Sequence, residues 1–265
     1  MGARLLGVRQ VAKPWGRTEL PAPFSNDGHE PVGEIWFADE DAAPLPLLAK
    51  YLFTSEKLSI QLHPNDAQAR SRGLDSGKEE CWLVIDADPD AVLGIGTLHP
   101  LSADELRRAA LDGSIEALMD WKPVQRGDFF YVPAGTVHAI GAGVSLIEVQ
   151  QNADVTYRLY DYGRPRELHL DDGVAVADAR PYADARATRV DFAEDRLLVD
   201  GPVFRVMLGG DQCDLAGSGA TLILPLAGRA FAGATSAGAG DCLAVDEGTA
   251  WHADPDARLL IARMV

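Results

Sequence analysis

The sequence predicts an all-β protein, and the spacing of its apolar segments is the main reason. These segments are short and are separated by turn-forming residues, with 26 glycines and 16 prolines spread over 265 residues. Helical signals are few. Strand-like stretches recur at residues 32–38, 45–53, 58–62, 80–85, 91–95, 129–132, 144–150, 203–208, 221–225, 242–245 and 258–262. Regular short strands between turns are typical of a β-sandwich or a β-barrel.

Short helices are expected at two places between the strands. Ser102 and Glu105 form a capping-box pattern ahead of apolar residues at helical spacing. Asn65 or Asp66 can begin another helix after the apolar stretch that ends near residue 62. The expected helices span residues 64–72, 103–111 and 114–120.

The chain is expected to form two β-domains, residues 1–190 and residues 191–265. The weakest seam is 178–201, where Pro181, Tyr182 and several Asp and Arg residues separate a motif-rich part from a plainer tail. The N-terminal strands are candidates to complete the second domain, which leaves the boundary open.

The tail contains a faint repeat of the first domain. Residues 127–136 (GDFFYVPAGT) align with residues 240–249 (GDCLAVDEGT). In this register His138 falls opposite Trp251, and His252 is one residue out of step. Because such a slip turns a strand side chain to the other face, the tail should copy the architecture without a site at His252, which we expect at the surface.

Composition excludes several classes of partner. With a net charge of -16, the chain lacks the basic surface that binding to nucleic acid or to an anionic membrane requires. No apolar run approaches the roughly 18 residues needed to span a membrane. Three widely spaced cysteines argue against a disulfide framework and for a reducing, cytoplasmic setting, and Cys81 is expected to be a buried small hydrophobe.

Two segments place metal-ligand side chains at strand spacing. Ser59, Gln61 and His63 alternate with apolar residues, so the strand period of two puts all three on one face. Lys78 and Glu80 share one face of the next strand-like run. Each pattern also fits a plain structural role, because solvent-facing strands commonly carry polar residues.

The stretch 127–164 adds a third ligand candidate. His138 follows a turn, and Glu148, Arg158 and Arg164 come after it. One glutamine, two histidines and one glutamate on three separate strands offer the nitrogen and oxygen ligands that zinc accepts, with manganese and iron as weaker alternatives. Converging strands that leave a position for water or substrate describe a catalytic site better than a structural one.

These segments resemble the signature blocks of type I mannose-6-phosphate isomerases of the short bacterial form. The similar segments occur in the family's order over roughly residues 10–170. They are residues 13–16 (KPWG), 33–36 (GEIW), 61–64 (QLHP), 77–82 (GKEECW), 133–139 (PAGTVHA) and 150–158 (QQNADVTYR). The large helical insertion of longer family members is missing, which leaves substrate stringency open.

The resemblance implies a cupin-type jelly-roll barrel, with a smaller, degenerate cupin-like domain in the tail. The implied reaction interconverts mannose 6-phosphate and fructose 6-phosphate through a cis-enediol. The resemblance implies one zinc ion per chain, held by Gln61, His63, Glu80 and His138. It also implies a sugar-phosphate site to which Ser59, Lys78, Glu148, Arg158 and Arg164 contribute.

The roles within that site are only partly assigned by the sequence. Arg158 matches the family's active-site arginine and would add positive charge at the reacting oxygens or hold the opened sugar. The proton carrier is Glu148, Lys78 or a zinc-bound water, and the sequence does not choose among them. Arg164 and Lys57 are the candidates for cations at the phosphate.

Two other functions are compatible with the same residues. One is an isomerase or epimerase of another aldose or sugar phosphate, and the other is a non-catalytic sugar-binding cupin. An intact ligand set with Arg158 favours an enzyme, because a binder does not need to stabilise an enediolate. An iron-dependent dioxygenase is disfavoured by the additional glutamine.

Overall fold

The computed structural model describes residues 2–26, 28, 30–38, 43–211, 213 and 215–265. In chain order its strands are β1 (Ala3–Leu5), β2 (Gly7–Arg17), β3 (Val32–Ala38), β4 (Leu47–Phe53), β5 (Ile60–Leu62), β6 (Glu80–Ala87), β7 (Val92–Thr97), β8 (Met119–Pro123), β9 (Asp128–Val132), β10 (His138–Ile140), β11 (Val144–Gln151), β12 (Tyr157–Tyr160), β13 (Thr188–Arg189), β14 (Arg196–Asp200), β15 (Phe204–Gly209), β16 (Ser218–Ala227), β17 (Ala230–Ala232), β18 (Thr235–Ala237), β19 (Leu243–Val245), β20 (His252–Ala253) and β21 (Arg258–Met264). The helices of the described chain are α1 (Asp66–Arg70), α2 (Ala103–Asp112), α3 (Ile115–Leu118) and α4 (Leu170–Val176). The predicted all-β class is confirmed.

The strands of the described residues form four antiparallel sheets. A seven-stranded sheet, β13-β9-β6-β11-β4-β3-β2, faces a five-stranded sheet, β12-β5-β10-β7-β8. Leu52, Trp82 and Leu146 of the larger sheet pack with Leu93 and Ile140 of the smaller one. These two sheets form the first barrel.

The tail forms a six-stranded sheet, β1-β19-β16-β21-β15-β14, and a three-stranded sheet, β18-β17-β20. The six-stranded sheet packs on the outer face of the seven-stranded sheet, where Phe53 and Phe129 share one core with Phe204, Leu222 and Leu260. The seven-stranded sheet is therefore covered on both faces. That is why β4, β9 and β11 are buried along their whole length, and why β4 and β9 have nearly continuous apolar sequences.

The first two strands of the described chain belong to different halves. Strand β1 pairs with β19 in the six-stranded sheet, and β2 pairs with β3 in the seven-stranded sheet. Only the buried Leu6 separates β1 from β2.

The capping residues in the sequence correctly predicted the positions of helices α1 and α2. Asn65 and Gln68 form a complete capping box at α1, and Ser102 and Glu105 form one at α2. Helix α4 was not predicted, because its start has no side-chain cap and Gly173 interrupts its sequence. That glycine lets α4 approach β12, since an added Cβ would lie 2.7 Å from the Leu159 side chain.

The predicted repeat is present in the backbone. Gly127 and Gly240 both have a positive φ, and strands β9 and β19 follow them. Near the end of each repeat unit lies another glycine with a positive φ, which is Gly135 in the first unit and Gly248 in the second. His252 is exposed and stacks on the Phe231 ring, as expected for a surface residue.

No helix in the described ranges combines the length and apolar character required to cross a bilayer. His29, a histidine in polar sequence surroundings, lies outside the described residues.

Candidate metal centre and active-site cavity

Three buried side chains converge inside the first barrel. His63 follows β5, Glu80 begins β6 and His138 begins β10, and their ligand atoms all lie within 4.8 Å of one another. Each histidine Nε2 lies 3.4 Å from a different carboxylate oxygen of Glu80. The three side chains are at most 2% exposed. Such a group of donors can hold a metal ion.

Hydrogen bonds orient both imidazole rings. His63 Nδ1 lies 2.7 Å from the Val155 carbonyl, and His138 Nδ1 lies 2.9 Å from the Thr136 carbonyl. A carbonyl only accepts, so each Nδ1 carries the proton and each Nε2 presents a lone pair toward Glu80. Burial lowers the pKa of both histidines, which favours the neutral form that metals bind.

The remaining candidate ligand, Gln61, lies in the same cross-strand row. In the five-stranded sheet Gln61 stands directly opposite His138 on one side and Arg158 on the other. Ser59 Oγ donates a 2.9 Å hydrogen bond to Gln61 Oε1. The buried His138 Nε2 has no hydrogen-bond partner among the described residues. An unpartnered imidazole nitrogen, a carboxylate and an amide oxygen fit a divalent metal of the zinc type.

A second row of side chains crosses the seven-stranded sheet. Its members are Trp82, Glu148, Lys50 and Trp36, which stand opposite one another on β6, β11, β4 and β3. Lys50 Nζ lies 2.9 Å from Glu148 Oε1, and Trp82 Nε1 donates a 3.0 Å bond to the other oxygen. Burial lowers the pKa of Lys50, but the charges of Glu148 and Glu34 outweigh it and raise the pKa above the ordinary value.

Lys78 connects this row to the metal centre. Its Nζ lies 2.5 Å from Glu80 Oε2, 3.1 Å from His63 Nε2 and 3.6 Å from Glu148 Oε1. The two side-chain candidates for the proton carrier, Lys78 and Glu148, therefore lie next to each other beside the candidate ligands.

A cavity of about 140 Å³ opens between the two rows. Six of the residues expected from the sequence line it, and they are Ser59, Gln61, Lys78, Glu80, Glu148 and Arg158. His63 and His138 are not part of this lining, but each contacts Glu80, which is. The tryptophans Trp15, Trp36 and Trp82 form part of the wall.

Two predicted cations are placed elsewhere. Lys57 pairs with Glu116 at 2.6 Å and lies over the Trp121 ring. Arg164 binds Glu56, the Lys57 carbonyl and Asp161. Neither side chain lines the cavity.

Among the cavity residues that sequence reasoning missed are two cations, Lys50 and Arg166. Lys50 could have been found, because it is the one charged residue in the otherwise apolar segment 47–53. A charge buried in a strand needs a partner, which indicates a special role. Arg166 lies in a loop, and nothing in its local sequence distinguishes it from Arg164. Cys81 is buried, and burial raises its pKa, so its thiol is inert as expected.

The fold is the cupin fold of solved phosphomannose isomerases. The chain superimposes on mannose 6-phosphate isomerase from Bacillus subtilis with a TM-score of 0.76 and 24% identity, over 99% of this chain and 100% of that chain. An alanine mutant of phosphomannose isomerase from Salmonella typhimurium gives a TM-score of 0.75 and 13% identity, over the full length of both chains.

Curated proteins are similar over a shorter span. Mannose-6-phosphate isomerase of Streptococcus mutans is 39% identical over 178 residues, which are 64% of this chain and 56% of that protein. Mannose-6-phosphate isomerase ManA of Bacillus subtilis is 38% identical over 179 residues, 63% of this chain and 56% of its own length. The chain thus spans little more than half of these relatives. No protein-family model matches it.

Proposed function

We propose that this protein is a metal-dependent aldose-ketose isomerase that interconverts mannose 6-phosphate and fructose 6-phosphate. The observation that carries this proposal is the buried His63–Glu80–His138 group, which lies beside a cavity lined by Arg158, Lys78 and Glu148. The similarity to proteins named mannose-6-phosphate isomerase supports the choice of substrate.

We propose zinc as the metal, held by Gln61, His63, Glu80 and His138. When bound, zinc would act as a Lewis acid that stabilises negative charge on substrate oxygens. The histidine tautomers and the unpartnered His138 Nε2 support this ligand set.

The reaction transfers a proton between carbons 1 and 2 of the open-chain sugar. Glu148 and Lys78 are both placed to carry it, because both line the cavity and their charged atoms lie 3.6 Å apart. Lys50 holds the Glu148 carboxylate in place and Trp82 fixes its second oxygen. These contacts restrict the carboxylate to one orientation toward the cavity.

Arg158 would stabilise negative charge that develops on the sugar oxygens. Its guanidinium forms no ion pair with any carboxylate in the described ranges, and the one hydrogen bond that this group makes there goes from Nη1 to the Glu167 carbonyl. An arginine without a counter-ion in a partly desolvated cavity is available to an anionic substrate. Its position opposite Gln61 places it next to the proposed metal ligands.

The three cysteines are buried and free, which supports the proposal that the protein works in a reducing compartment such as the cytoplasm.

Proton exchange tests the proposed reaction directly. Zinc-loaded protein is incubated with mannose 6-phosphate in deuterated water, and the products are followed by NMR. Fructose 6-phosphate should form, and deuterium should enter carbon 2 of the recovered mannose 6-phosphate. Absence of both, in protein shown to contain stoichiometric metal, overturns the proposal.

Parallel incubations define the substrate. Other aldoses and aldose phosphates are offered under the same conditions, and turnover of one of these without turnover of mannose 6-phosphate identifies a different isomerase. Sugar binding without any exchange identifies a binding protein.

A further inference from the structure

Gln150 lies beside both a candidate metal ligand and a candidate proton carrier. On β11 it stands directly opposite Glu80 of β6, and Glu148 precedes it by two residues. Because side chains alternate along a strand, Gln150 and Glu148 project from the same face of the sheet, and both line the cavity. Gln150 is 2% exposed. A buried amide therefore belongs to the wall of the cavity at the end where the metal would bind.

Two backbone carbonyls fix the orientation of this amide. Gln150 Nε2 donates to the Gln151 carbonyl at 2.8 Å and to the Ala153 carbonyl at 3.4 Å. Exchanging the nitrogen and the oxygen would set one acceptor against two others, so these contacts also assign the oxygen. Gln150 Oε1 is buried and has no hydrogen-bond partner among the described residues. Burial keeps bulk water from this acceptor, and leaving it without a donor costs free energy.

The neighbouring glutamine shows what a purely structural amide looks like in this strand. Gln151 is also buried, but its Oε1 accepts from the Glu79 N–H at 2.9 Å and its Nε2 donates to Asp66 at 2.9 Å. Gln151 points to the other face of the sheet, away from Glu148. The protein therefore satisfies both ends of Gln151 but only the nitrogen end of Gln150. The Gln150 oxygen is left for a donor that a ligand brings.

We propose that Gln150 Oε1 accepts a hydrogen bond from the hydroxyl group on carbon 3 of the open-chain sugar and so favours substrates with a hydroxyl at that carbon. A sugar hydroxyl can donate, and a site built to bind it discriminates against an analogue without it. Carbon 3 is the first carbon beyond the pair that exchanges the proton, and Gln150 is the next residue on this face after Glu148. The choice of sugar and of carbon rests on the proposed isomerase function, whereas the unpartnered acceptor does not.

A structural role for Gln150 predicts a different result. The two bonds from Nε2 hold the segment after β11, which also lines the cavity. Loss of these bonds alone would shift the wall and weaken every ligand by the same factor. Only a direct contact makes the effect of the substitution depend on one hydroxyl group of the ligand.

The test combines a change in the protein with a change in the ligand. Mannitol 6-phosphate has an open chain and no carbonyl, so it cannot isomerise. Calorimetry measures its binding to zinc-loaded protein, together with that of its 3-deoxy and 4-deoxy analogues. Wild type should bind the 3-deoxy analogue about 3- to 10-fold more weakly than the parent, as expected for one neutral hydrogen bond. Gln150→Met keeps the length of the side chain without the acceptor and should bind these two ligands within about twofold of each other.

Gln151→Met is the matched control. It should be less stable than wild type, because it leaves the Glu79 N–H and Asp66 without this partner, but it should keep the preference for the 3-hydroxyl group. The ratio of 4-deoxy to parent affinity should be the same in all three proteins, and metal analysis should show stoichiometric zinc in each. Equal weakening of all ligands in Gln150→Met, or a wild type that binds the 3-deoxy analogue as well as the parent, overturns the proposal.

Turnover of mannose 6-phosphate separates this contact from the proposed reaction. A wild-type protein that shows the preference, loses it in Gln150→Met and does not isomerise the sugar would remove the isomerase and keep the contact. A wild-type protein that isomerises the sugar, with the preference unchanged in Gln150→Met, would remove the contact and keep the isomerase.

Discussion

Lys50 and Glu148 face each other across adjacent strands and form a buried ion pair, with 2.9 Å between Nζ and Oε1. Both side chains are less than 10% exposed. Burying two charges costs desolvation free energy. Their mutual attraction offsets this cost only while both charges are present. The pair therefore makes the interior sensitive to loss of either member.

Removing Lys50 alone should be destabilising. Lys50→Met keeps the length of the side chain but leaves Glu148 buried with only Lys78 nearby, at 3.6 Å. We expect the free energy of unfolding to fall by about 3 kcal/mol, the lower end of what breaking a buried pair costs. Urea denaturation with zinc in every sample measures this, and isomerase activity should fall with it.

The double variant Lys50→Met/Glu148→Gln serves as the control for this prediction. Because it removes both charges, it should recover more than half of the lost stability while activity stays low. A single Lys50→Met variant as stable as wild type would contradict a role for the ion pair.

The two halves of the repeat predict opposite results for histidine substitutions. His138→Ala removes a proposed ligand at a buried, preformed centre and should abolish stoichiometric zinc binding, measured by metal analysis after dialysis. His252→Ala changes an exposed residue one step out of register and should leave zinc content unchanged. Loss of zinc in His252→Ala would mean that the tail contributes to the site.

The glycines of the repeat give a second matched pair. Gly135 and Gly248 have φ of 85° and 79°, so alanine at either should cost about 1–2 kcal/mol of stability. A Cβ at Gly135 would also lie 3.0 Å from the Val176 carbonyl, whereas none lies within 4 Å at Gly248. The Gly135 N–H donates to the His63 carbonyl at 2.7 Å, so only Gly135→Ala should weaken zinc affinity, by about tenfold or more.

Competition with a zinc-chelating dye measures that affinity, and thermal unfolding measures stability. Equal zinc affinities in the two alanine variants would show that the turn at Gly135 does not position the ligands.

Asp66 should make stability depend on pH. Hydrogen bonds from Gln151, Gly77 and Arg70 lower its pKa in the folded protein, with the Gln151 bond as the largest cause. A lowered folded pKa means that the stabilisation is complete above the ordinary aspartate value of about 3.9 and is lost as pH falls through the folded value. Asp66→Asn should therefore be less stable than wild type at pH 7, and the difference should shrink below pH 4.

The size of this effect should stay below about 1 kcal/mol, because Asp66 is 38% exposed and solvent screens the interaction. Urea unfolding at several pH values compares Asp66→Asn with the exposed Asp90→Asn, which should follow wild type throughout. A stability difference that does not change with pH would contradict the assignment.

Sequence patterns located the strands because most of them are buried on at least one face. The predicted stretches 32–38 and 144–150 match β3 and β11 almost residue for residue. The largely exposed strand β2 was missed because its N-terminal residues face solvent and show no apolar pattern. Short β17 and β18 lack enough residues for any periodicity.

The metal centre could be anticipated because its residues occur in recognisable segments, whereas the cation positions depend on tertiary structure. Arg164 and Arg166 have the same charge and nearly the same place in sequence, but only Arg166 lines the cavity, whereas Arg164 pairs with Glu56 and Asp161. Lys50 was overlooked because its strand looks like plain core. Its partner lies on β11, far away in sequence.

The first strand has a consequence for how the protein is made. Arg4 hydrogen-bonds to Asp246, 242 positions further along the chain, and β1 pairs with β19. A segment synthesised early must therefore wait for a partner that emerges 242 residues later. Closing so large a loop is slow, so β1 should join its sheet late in folding, and a chaperone should engage its unpaired edge until then.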